Sequence, residues 1–225
     1  MSYIDGYFDR SSDIIRVVER QNKERVFKEY PIKYTFYHED PGGKFKSTTG
    51  KTLSRIVCKN TKDFHKELAI NRNKTLFESD INPMFQCLSE NYLNKDAPDL
   101  NIAFFDIEAD FDPEKGFSQP NDPFMPITAI TVSLQWLDTM VTFAMPPKTM
   151  GIEEAKEITK GIDNLYLYKD EADMLKAFLD IIEDADVISG WNSEGYDLPY
   201  IINRIKKVMS KDDTRRLCLW KQMPK

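Results

Sequence analysis

The sequence contains few of the side chains that most often bind zinc or form a nucleophilic triad. Its 225 residues include two histidines, His38 and His65, and three cysteines, Cys58, Cys87 and Cys218. The cysteines are far apart and form no C-x-x-C pair, so the sequence predicts reduced thiols and no zinc site. Two scattered histidines also argue against a histidine-based metal site or a Ser-His-Asp triad.

Long apolar runs are absent as well. No uninterrupted apolar stretch approaches the roughly 20 residues of a membrane helix. The first ten residues, MSYIDGYFDR, lack the basic start and apolar core of a signal peptide. We therefore expect no contact with a membrane. A hydrophobic content of 41% is sufficient for a packed core, and a chain of this length can form one large domain or two small ones.

Positive charge is in deficit, but the deficit is not uniform. The net charge of the chain is −6, with +3 on residues 1–98 and −9 on residues 99–225. Within the acidic part, residues 203–225 contain eight basic residues against Asp212 and Asp213. An acidic site that needs metal beside a basic strip is compatible with binding a phosphodiester strand. A solvated helix end followed by a charged tail explains the same pattern.

Two acidic residues lie close together at the end of an apolar stretch. Residues 101–110 read NIAFFDIEAD, in which apolar residues of high strand propensity precede Asp106 and Glu108. Because side chains alternate along a strand, these two carboxylates would point to the same side. Neighbouring buried carboxylates repel each other and lose solvation, and a divalent cation such as Mg²⁺ or Mn²⁺ offsets both costs. An ordinary strand end with exposed acids is the alternative.

A third acidic residue lies in a segment near the C-terminus. Residues 187–200 read VISGWNSEGYDLPY, which indicates a short buried strand, a glycine turn and then the start of a helix. Pro199 is compatible with the first turn of that helix. Asp197 is either a helix N-cap or a site residue, and Asn192 is either a turn residue or a site residue. One face of the helix would carry Leu198, Ile201, Ile202, Ile205 and Met209.

The remaining pattern predicts two regions of different character. Residues 2–58 are β-rich, with a hairpin turn at residues 22–24 and a helix that begins after Asn60 or Thr61. Residues 71–100 are polar and read as irregular, and we place a domain boundary near residue 99. Beyond it the sequence predicts strands at 101–107, 127–136, 139–145, 164–168 and 187–188, and a helix capped by Asp170. Residues 152–159 are either a short helix or an exposed insertion.

Together, the two acidic segments resemble the first two exonuclease motifs of family B DNA polymerases, with the T-even-like bacteriophage polymerases as the best fit. The resemblance rests on FDIE at residues 105–108 and WN-x-x-x-YD-x-P-Y at residues 191–200, in this order and in strand and helix contexts. It implies that residues 99–225 form an α/β (α+β) exonuclease domain of ribonuclease H-like fold, a mixed sheet flanked by helices. Residues 1–98 resemble the family's smaller, β-rich N-terminal domain by position.

The resemblance also implies roles for named residues. It implies that Asp106, Glu108 and Asp197 bind two divalent ions, Mg²⁺ or Mn²⁺, around a scissile phosphate. It implies that Asn192 and Tyr196 support the site or line a channel for nucleic acid. The implied activity is 3′→5′ proofreading by a DNA-directed DNA polymerase on the single-stranded or frayed 3′ end of a DNA primer. The implied location is the cytoplasm of a phage-infected cell.

The sequence departs from the family's pattern after the second motif. The family's third exonuclease motif is a Tyr followed closely by an Asp, and the only acids after Asp197 are Asp212 and Asp213, which have no such Tyr. The polymerase motifs are also absent. We therefore expect a partial exonuclease domain, weakly active or inactive alone, that functions with a C-terminal polymerase polypeptide.

Two other functions are compatible with the same residues. A stand-alone ribonuclease H-like nuclease would need a fourth carboxylate, for which Asp110 and Asp184 are the candidates. A non-catalytic nucleic-acid-binding or assembly module would keep the acidic residues without the activity.

Overall fold

The computed structural model describes residues 2–224 of the chain, which divides into two compact units, Met1–Asp99 and Leu100–Lys225. The first unit contains three-stranded and four-stranded sheets, and the second contains a five-stranded sheet. Among residues 2–224, no helix has the length and apolar character needed to cross a membrane.

The first unit is built from two antiparallel sheets and two helices. The three-stranded sheet has the order β1-β2-β3, and the four-stranded sheet has the order β5-β6-β4-β7. The strands are β1 (Ser2–Asp9), β2 (Ile14–Gln21), β3 (Glu24–Pro31), β4 (Tyr34–Glu39), β5 (Phe45–Lys46), β6 (Thr52–Cys58) and β7 (Leu76–Phe77), and the helices are α1 (Thr61–Ile70) and α2 (Pro83–Tyr92).

Local sequence explains where these elements begin and turn. The β2–β3 hairpin turns at Asn22 and Lys23, whose φ angles of 51° and 70° are those of a tight turn with left-handed backbone. Helix α1 begins after Asn60, whose side chain accepts a hydrogen bond from the Asp63 backbone N–H, as the sequence predicts.

The prediction that residues 71–100 are irregular is wrong for twelve of them, because Leu76–Phe77 form β7 and Pro83–Tyr92 form α2. Asn82 caps this helix by accepting a hydrogen bond from the Met84 backbone N–H. Met84 and Cys87 are buried against Ile15 and Val17 of β2. Packing on the sheet therefore stabilises a helix whose own apolar pattern is short.

The second unit is a mixed sheet with the strand order β13-β12-β11-β8-β14. The three central strands are antiparallel, while β13 and β14 pair in parallel with β12 and β8. The sheet consists of β8 (Ile102–Ala109), β11 (Ile127–Leu134), β12 (Thr139–Ala144), β13 (Leu165–Leu167) and β14 (Val187–Ser189); β9 (Phe111–Asp112) and β10 (Gly116–Phe117) form a separate ribbon, and the helices are α3 (Ile152–Ile158), α4 (Glu171–Ile181) and α5 (Asp197–Val208).

Helices α4 and α5 cover one face of this sheet. On β8 the residues Ala103, Phe105 and Ile107 are buried, while the alternate residues between them are exposed. The buried residues share a core with side chains of both helices, including Phe178 and Ile201. Asp170 caps α4 by accepting from the Asp173 backbone N–H, as predicted. The alternation along β8 leaves the acidic residues on the face away from this core.

Candidate active site

The first two candidate residues lie on β8, an interior strand between β11 and β14, on the face that is not packed against the core. Asp106 and Glu108 are both exposed, and the residue between them, Ile107, is buried. Their neighbours across the antiparallel pairing with β11 are Thr131 and Ala129. The strand that the sequence predicts is therefore present, and the two carboxylates share one face of it.

The second motif reaches β8 through a parallel strand pairing. Val187–Ser189 pair with Ile102–Phe104, which brings the following residues alongside the middle of β8. Gly190 is required at this point, since a Cβ atom there would lie 2.3 Å from the carbonyl oxygen of Phe105. The close approach of the two backbones allows the next segment to pass beside the acidic strand.

Asp197 is the first residue of α5 and does not cap it. The N-cap position is Tyr196, and no side chain caps the helix. The N-cap interpretation of Asp197 is therefore wrong. Asp197 is only 5% exposed, although it is acidic. Burial of a carboxylate costs free energy unless a positive charge or hydrogen-bond donors compensate for the lost solvation.

The electrostatics of Asp197 connect it to β8. Burial raises the pKa of the Asp197 carboxyl, and the neighbouring Asp106 carboxylate raises it further. The backbone N–H groups of Asp197 and Ile107 lower the same pKa by hydrogen bonding. The structure therefore brings together Asp106 and Asp197, which are 91 positions apart in the sequence.

These carboxylates have the chemistry of ligands for a hard divalent cation. Asp197 is buried beside a second carboxylate, and a cation between them would offset both burial and repulsion. Glu108 lies on the same strand face as Asp106. Among residues 2–224, however, no three or more His, Cys, Asp or Glu side chains are grouped so that they could hold a metal ion. The donor set fits a divalent cation at Asp106 and Asp197, while Glu108 is not gathered into a three-ligand cluster.

Asn192 and Tyr196 lie in the turn between β14 and α5. Asn192 is exposed and has a left-handed φ of 52°, and its carbonyl accepts hydrogen bonds from the N–H groups of Gly195 and Tyr196. Tyr196 donates its hydroxyl to the carbonyl of Ser118 at 3.3 Å. Asn192 therefore shapes the turn, and Tyr196 connects the start of α5 to residue 118.

The two acids considered as a fourth ligand have other partners. Asp110 forms an ion pair with Lys148 at 3.0 Å, and that hydrogen bond holds the pKa of the Asp110 carboxyl below its usual value. Asp184 accepts a hydrogen bond from the side chain of Asn101 at 2.7 Å. These contacts favour neither residue as a further metal ligand.

Much of the positive charge near the C-terminus is used inside the second unit. Arg216 pairs with Asp180 at 2.7 Å, and Lys221 pairs with Glu183 at 3.3 Å. Arg215 also pairs with Asp212. The interpretation of residues 203–225 as a basic strip for a phosphodiester strand is therefore less favoured than that of a locally paired, charged segment.

A buried ion pair between α4 and α5 is not apparent from sequence patterns. Glu171 and Arg204 are 7% and 6% exposed and bind each other through two N–H···O contacts. The sequence signal for them is weak, because each is a charged residue within an amphipathic helix. A charge on the apolar side of such a helix is the pattern that could have identified Arg204, which follows Ile201 by three residues.

Comparison with known families gives a match to "DNA polymerase family B, exonuclease domain" over residues 54–223. This region contains all of the candidate residues described above and begins inside the first compact unit.

Individual relatives point the same way. The chain is 26% identical to a DNA-directed DNA polymerase of Escherichia phage RB69 over 227 residues, which cover 90% of this chain and 25% of that protein. It is 31% identical to a DNA polymerase catalytic subunit of Saimiriine herpesvirus 2 over 116 residues, or 49% of this chain and 11% of that protein. It is 33% identical to a DNA-directed DNA polymerase of Enterobacteria phage T4 over 69 residues, which cover 29% of this chain and 8% of that protein. The chain thus spans at most about a quarter of these relatives.

Proposed function

The chain belongs to the exonuclease-domain family of family B DNA polymerases, and on this premise we propose that it carries the 3′→5′ proofreading site of a DNA-directed DNA polymerase. The reaction would be hydrolysis of the terminal phosphodiester at a single-stranded or frayed primer end. The residues assigned to the reaction are Asp106, Glu108 and Asp197, with Asn192 and Tyr196 in supporting positions.

One observation carries the proposal. The buried Asp197 lies close enough to Asp106 for the charge of Asp106 to raise the pKa of the Asp197 carboxyl. If Asp197 served only to stabilise the fold, a basic group would be expected beside it, as Arg204 lies beside Glu171. Two unneutralised carboxylates, one of them buried, are instead suited to divalent cation binding.

Mg²⁺ or Mn²⁺ would be held by Asp106 and Asp197, with Glu108 as the further oxygen ligand on the same strand face. In a two-metal site the bound ions lower the pKa of a coordinated water and stabilise the leaving oxygen of a phosphodiester. The chain's own contribution is to hold the carboxylates on a strand and a helix, and to expose Asp106 and Glu108 to a substrate. The backbone N–H of Ile107 lowers the pKa of the Asp197 carboxyl and so favours its charged form.

The surroundings of the site support single-stranded DNA as the substrate. Trp191, next to Asn192, is 92% exposed. Phe111 and Phe117 are exposed on the β9–β10 ribbon, and their ring centroids lie 4.9 Å apart. Exposed rings near a hydrolytic site are suited to stacking with unpaired bases.

The ribonuclease H-like fold of residues 99–225 also stays a proposal, supported by the order of the strands. The antiparallel strands β8, β11 and β12 are followed by α3, the parallel strand β13, α4, the parallel strand β14 and α5, and Asp106 and Glu108 lie on β8, next to the middle strand β11. The corresponding proposal for residues 1–98 is that they form the family's N-terminal domain, which their two antiparallel sheets support.

We expect efficient hydrolysis to need a further carboxylate from a C-terminal polymerase polypeptide, because residues 2–224 do not gather three metal ligands. The isolated chain should therefore degrade single-stranded DNA slowly or not at all, and the added polypeptide should restore the rate. Degradation by the isolated chain at a rate that the polypeptide does not increase would contradict this expectation.

Titration with Mn²⁺, followed by electron paramagnetic resonance, tests the central assignment. Saturable binding should be lost in Asp106→Asn and in Asp197→Asn. The matched control is Asp110→Asn, a neighbouring acid that pairs with Lys148, and it should bind as the unmodified chain does. Binding that survives both site substitutions, or that depends on Asp110, would refute the assignment.

A further inference from the structure

A single buried carboxylate connects the helix that carries Asp197 to the sheet that carries Asp106. Glu171, the first residue of α4, accepts hydrogen bonds from the Arg204 Nε atom at 2.7 Å and from the Ile127 backbone N–H at 2.8 Å. Its second oxygen accepts from the Arg204 Nη2 atom. Arg204 lies two turns after Asp197 on α5, and Ile127 is the first residue of β11.

The register of the sheet extends this connection to the acidic strand. β11 pairs with β8 so that Ala129 faces Glu108 and Thr131 faces Asp106, after a register shift between Ile127 and Ala129. The start of β11 is thus fixed to α5 by Glu171, and the same strand holds both acids of β8 by its backbone hydrogen bonds. No other ion pair described within residues 2–224 joins α5 to α4.

The chain that leads into β11 is held by the same helix. The Tyr200 hydroxyl donates to the carbonyl of Met125 at 2.9 Å, and the Arg204 Nη1 atom donates to the carbonyl of Pro123 at 2.9 Å. The Asn203 side chain donates to the carbonyl of Pro120 at 2.8 Å. Successive turns of α5 therefore bind the backbone of residues 120–125.

We infer that Glu171 and Arg204 are positioning residues of the exonuclease site, which set the location of Asp197 relative to Asp106. This inference rests on the proposed function and deepens it. Neither side chain would contact the substrate or the metal, since both are buried at the opposite end of the hydrogen-bonded connection from the carboxylates.

The chemistry of the pair supports positioning over stabilisation. A buried ion pair frequently gives no more stability than apolar side chains of similar volume. Its directional hydrogen bonds, however, allow few relative placements of the groups they join, because the planar guanidinium binds the carboxylate through two fixed N–H groups. Here one carboxylate also fixes a backbone N–H of the sheet, which apolar side chains could not do.

The test compares variants that separate position from stability. Glu171→Leu combined with Arg204→Met replaces the pair with apolar side chains, so that no buried charge is left without a partner. Arg204→Lys keeps the charge but loses the planar contact. The matched control is Ile182→Val, which removes a buried methyl group from the same core and leaves the pair intact. Thermal unfolding identifies the variants that remain folded.

Distances between spin labels report position without any metal. The labels are placed at Lys206→Cys on α5 and Met140→Cys on β12, both exposed, in a chain whose three native cysteines are replaced by serine. The double variant should give a broader or shifted distance distribution, Arg204→Lys an intermediate one, and Ile182→Val the original one. In parallel, the affinity for Mn²⁺ should fall about 10–100-fold in the double variant, the usual effect of losing a group that orients metal ligands.

The two readouts also separate this inference from the proposed function. If the unmodified chain binds no Mn²⁺, the metal assignment fails, and the label distances still decide whether the pair sets the position of α5. A folded double variant with the original distance distribution would overturn the inference, whatever its metal affinity. If the double variant does not fold, Arg204→Lys decides by the same comparison.

Discussion

At the scale of single residues, the central feature is an acid in an unfavourable place. Asp197 is buried, lies beside Asp106 and has a raised pKa. Without a bound cation, folding must therefore place a negative charge where water is largely excluded and another charge repels it. The protein bears this cost in its folded state, and removal of the charge should relieve it.

The first prediction is that Asp197→Asn stabilises the chain at neutral pH when divalent cations are removed by a chelator. The folded state binds the proton of Asp197 more tightly than the unfolded state, so stability decreases as pH rises from the ordinary pKa of 3.8 through the raised pKa. The substitution should raise the melting temperature by roughly 2–4 °C at pH 7, the change that about 1 kcal/mol gives in a chain of this size.

The difference in melting temperature between Asp197→Asn and the unmodified chain should vanish below about pH 3.8, where Asp197 is protonated in both the folded and the unfolded state. Melting curves at several pH values measure it. Glu108→Gln is the control, because its carboxyl is exposed and its removal should change stability little. A destabilised Asp197→Asn chain at pH 7 in chelator would show that the carboxylate is not under electrostatic strain.

The sequence identifies the three acids as candidates but does not determine how they meet. Asp106 and Glu108 share a face because side chains alternate along a strand. Their spacing of two residues in the sequence is enough to predict this. The proximity of Asp197 to Asp106 depends on the parallel pairing of β14 with β8 and on the backbone approach at Gly190. Such long-range pairing leaves no periodic signal in the sequence, and the buried partners Glu171 and Arg204 were missed for the same reason.

At the scale of elements, the passage from β14 to α5 depends on a glycine. The second prediction is that Gly190→Ala destabilises the chain by about 1–3 kcal/mol, the usual cost of forcing extra atoms into packed structure. Its new Cβ would lie 2.3 Å from the Phe105 carbonyl oxygen and push β14 from β8. Urea unfolding measures the loss.

Gly151→Ala is the control for this change, since a Cβ atom there meets nothing within 4 Å and its φ is −72°. It should leave the urea midpoint nearly unchanged. Equal midpoints for the two alanine variants would mean that the close approach at Gly190 does not hold in solution.

The turn of the β2–β3 hairpin provides the third prediction. Lys23 has a φ of 70°, a left-handed conformation that costs a residue with a Cβ atom energy and that glycine adopts freely. Lys23→Gly should therefore stabilise the first unit by about 0.5–1 kcal/mol, after the greater entropy of glycine in the unfolded chain is allowed for. Thermal or urea unfolding detects the gain.

Lys23→Ala separates backbone conformation from loss of charge in that experiment. It removes the same ammonium group but keeps the Cβ atom, so it should give no gain. A similar increase in both variants would assign the effect to charge and not to the turn.

Most elements follow from local patterns, and the exceptions have physical causes. The hairpin at residues 22–24, the cap of α1 at Asn60 and the cap of α4 at Asp170 are confirmed, because each depends on neighbours in sequence. Helix α2 was missed although Asn82 and Pro83 form a typical helix start. Its ten residues bury few side chains, and their contact with β2 supplies the stability that local propensity does not.

At the scale of the whole molecule, the chain forms two compact units that meet in sequence at Asp99 and Leu100. Residues 95–100 belong to no helix or strand and are mostly exposed. An exposed segment without regular structure is a preferred site of proteolysis. The fourth prediction is that limited digestion with trypsin cuts early after Lys95 and releases two resistant fragments, identified by mass spectrometry.

Lys95→Gln should suppress this early cut and leave later cuts unchanged. First cleavage inside a sheet of either unit, with Lys95 intact, would show that the segment is more protected than its exposure indicates.

The way in which α5 binds residues 120–125 has a consequence for variation. The helix contacts this stretch through its main-chain oxygens, at Pro120, Pro123 and Met125. Every amino acid offers the same oxygen, so replacements at the exposed positions Asn121 and Asp122 should leave the path of the stretch unaltered, whereas Pro123 and Met125 are buried. Related enzymes could therefore diversify here at little cost, whereas a change in the number of residues would shift every oxygen out of register.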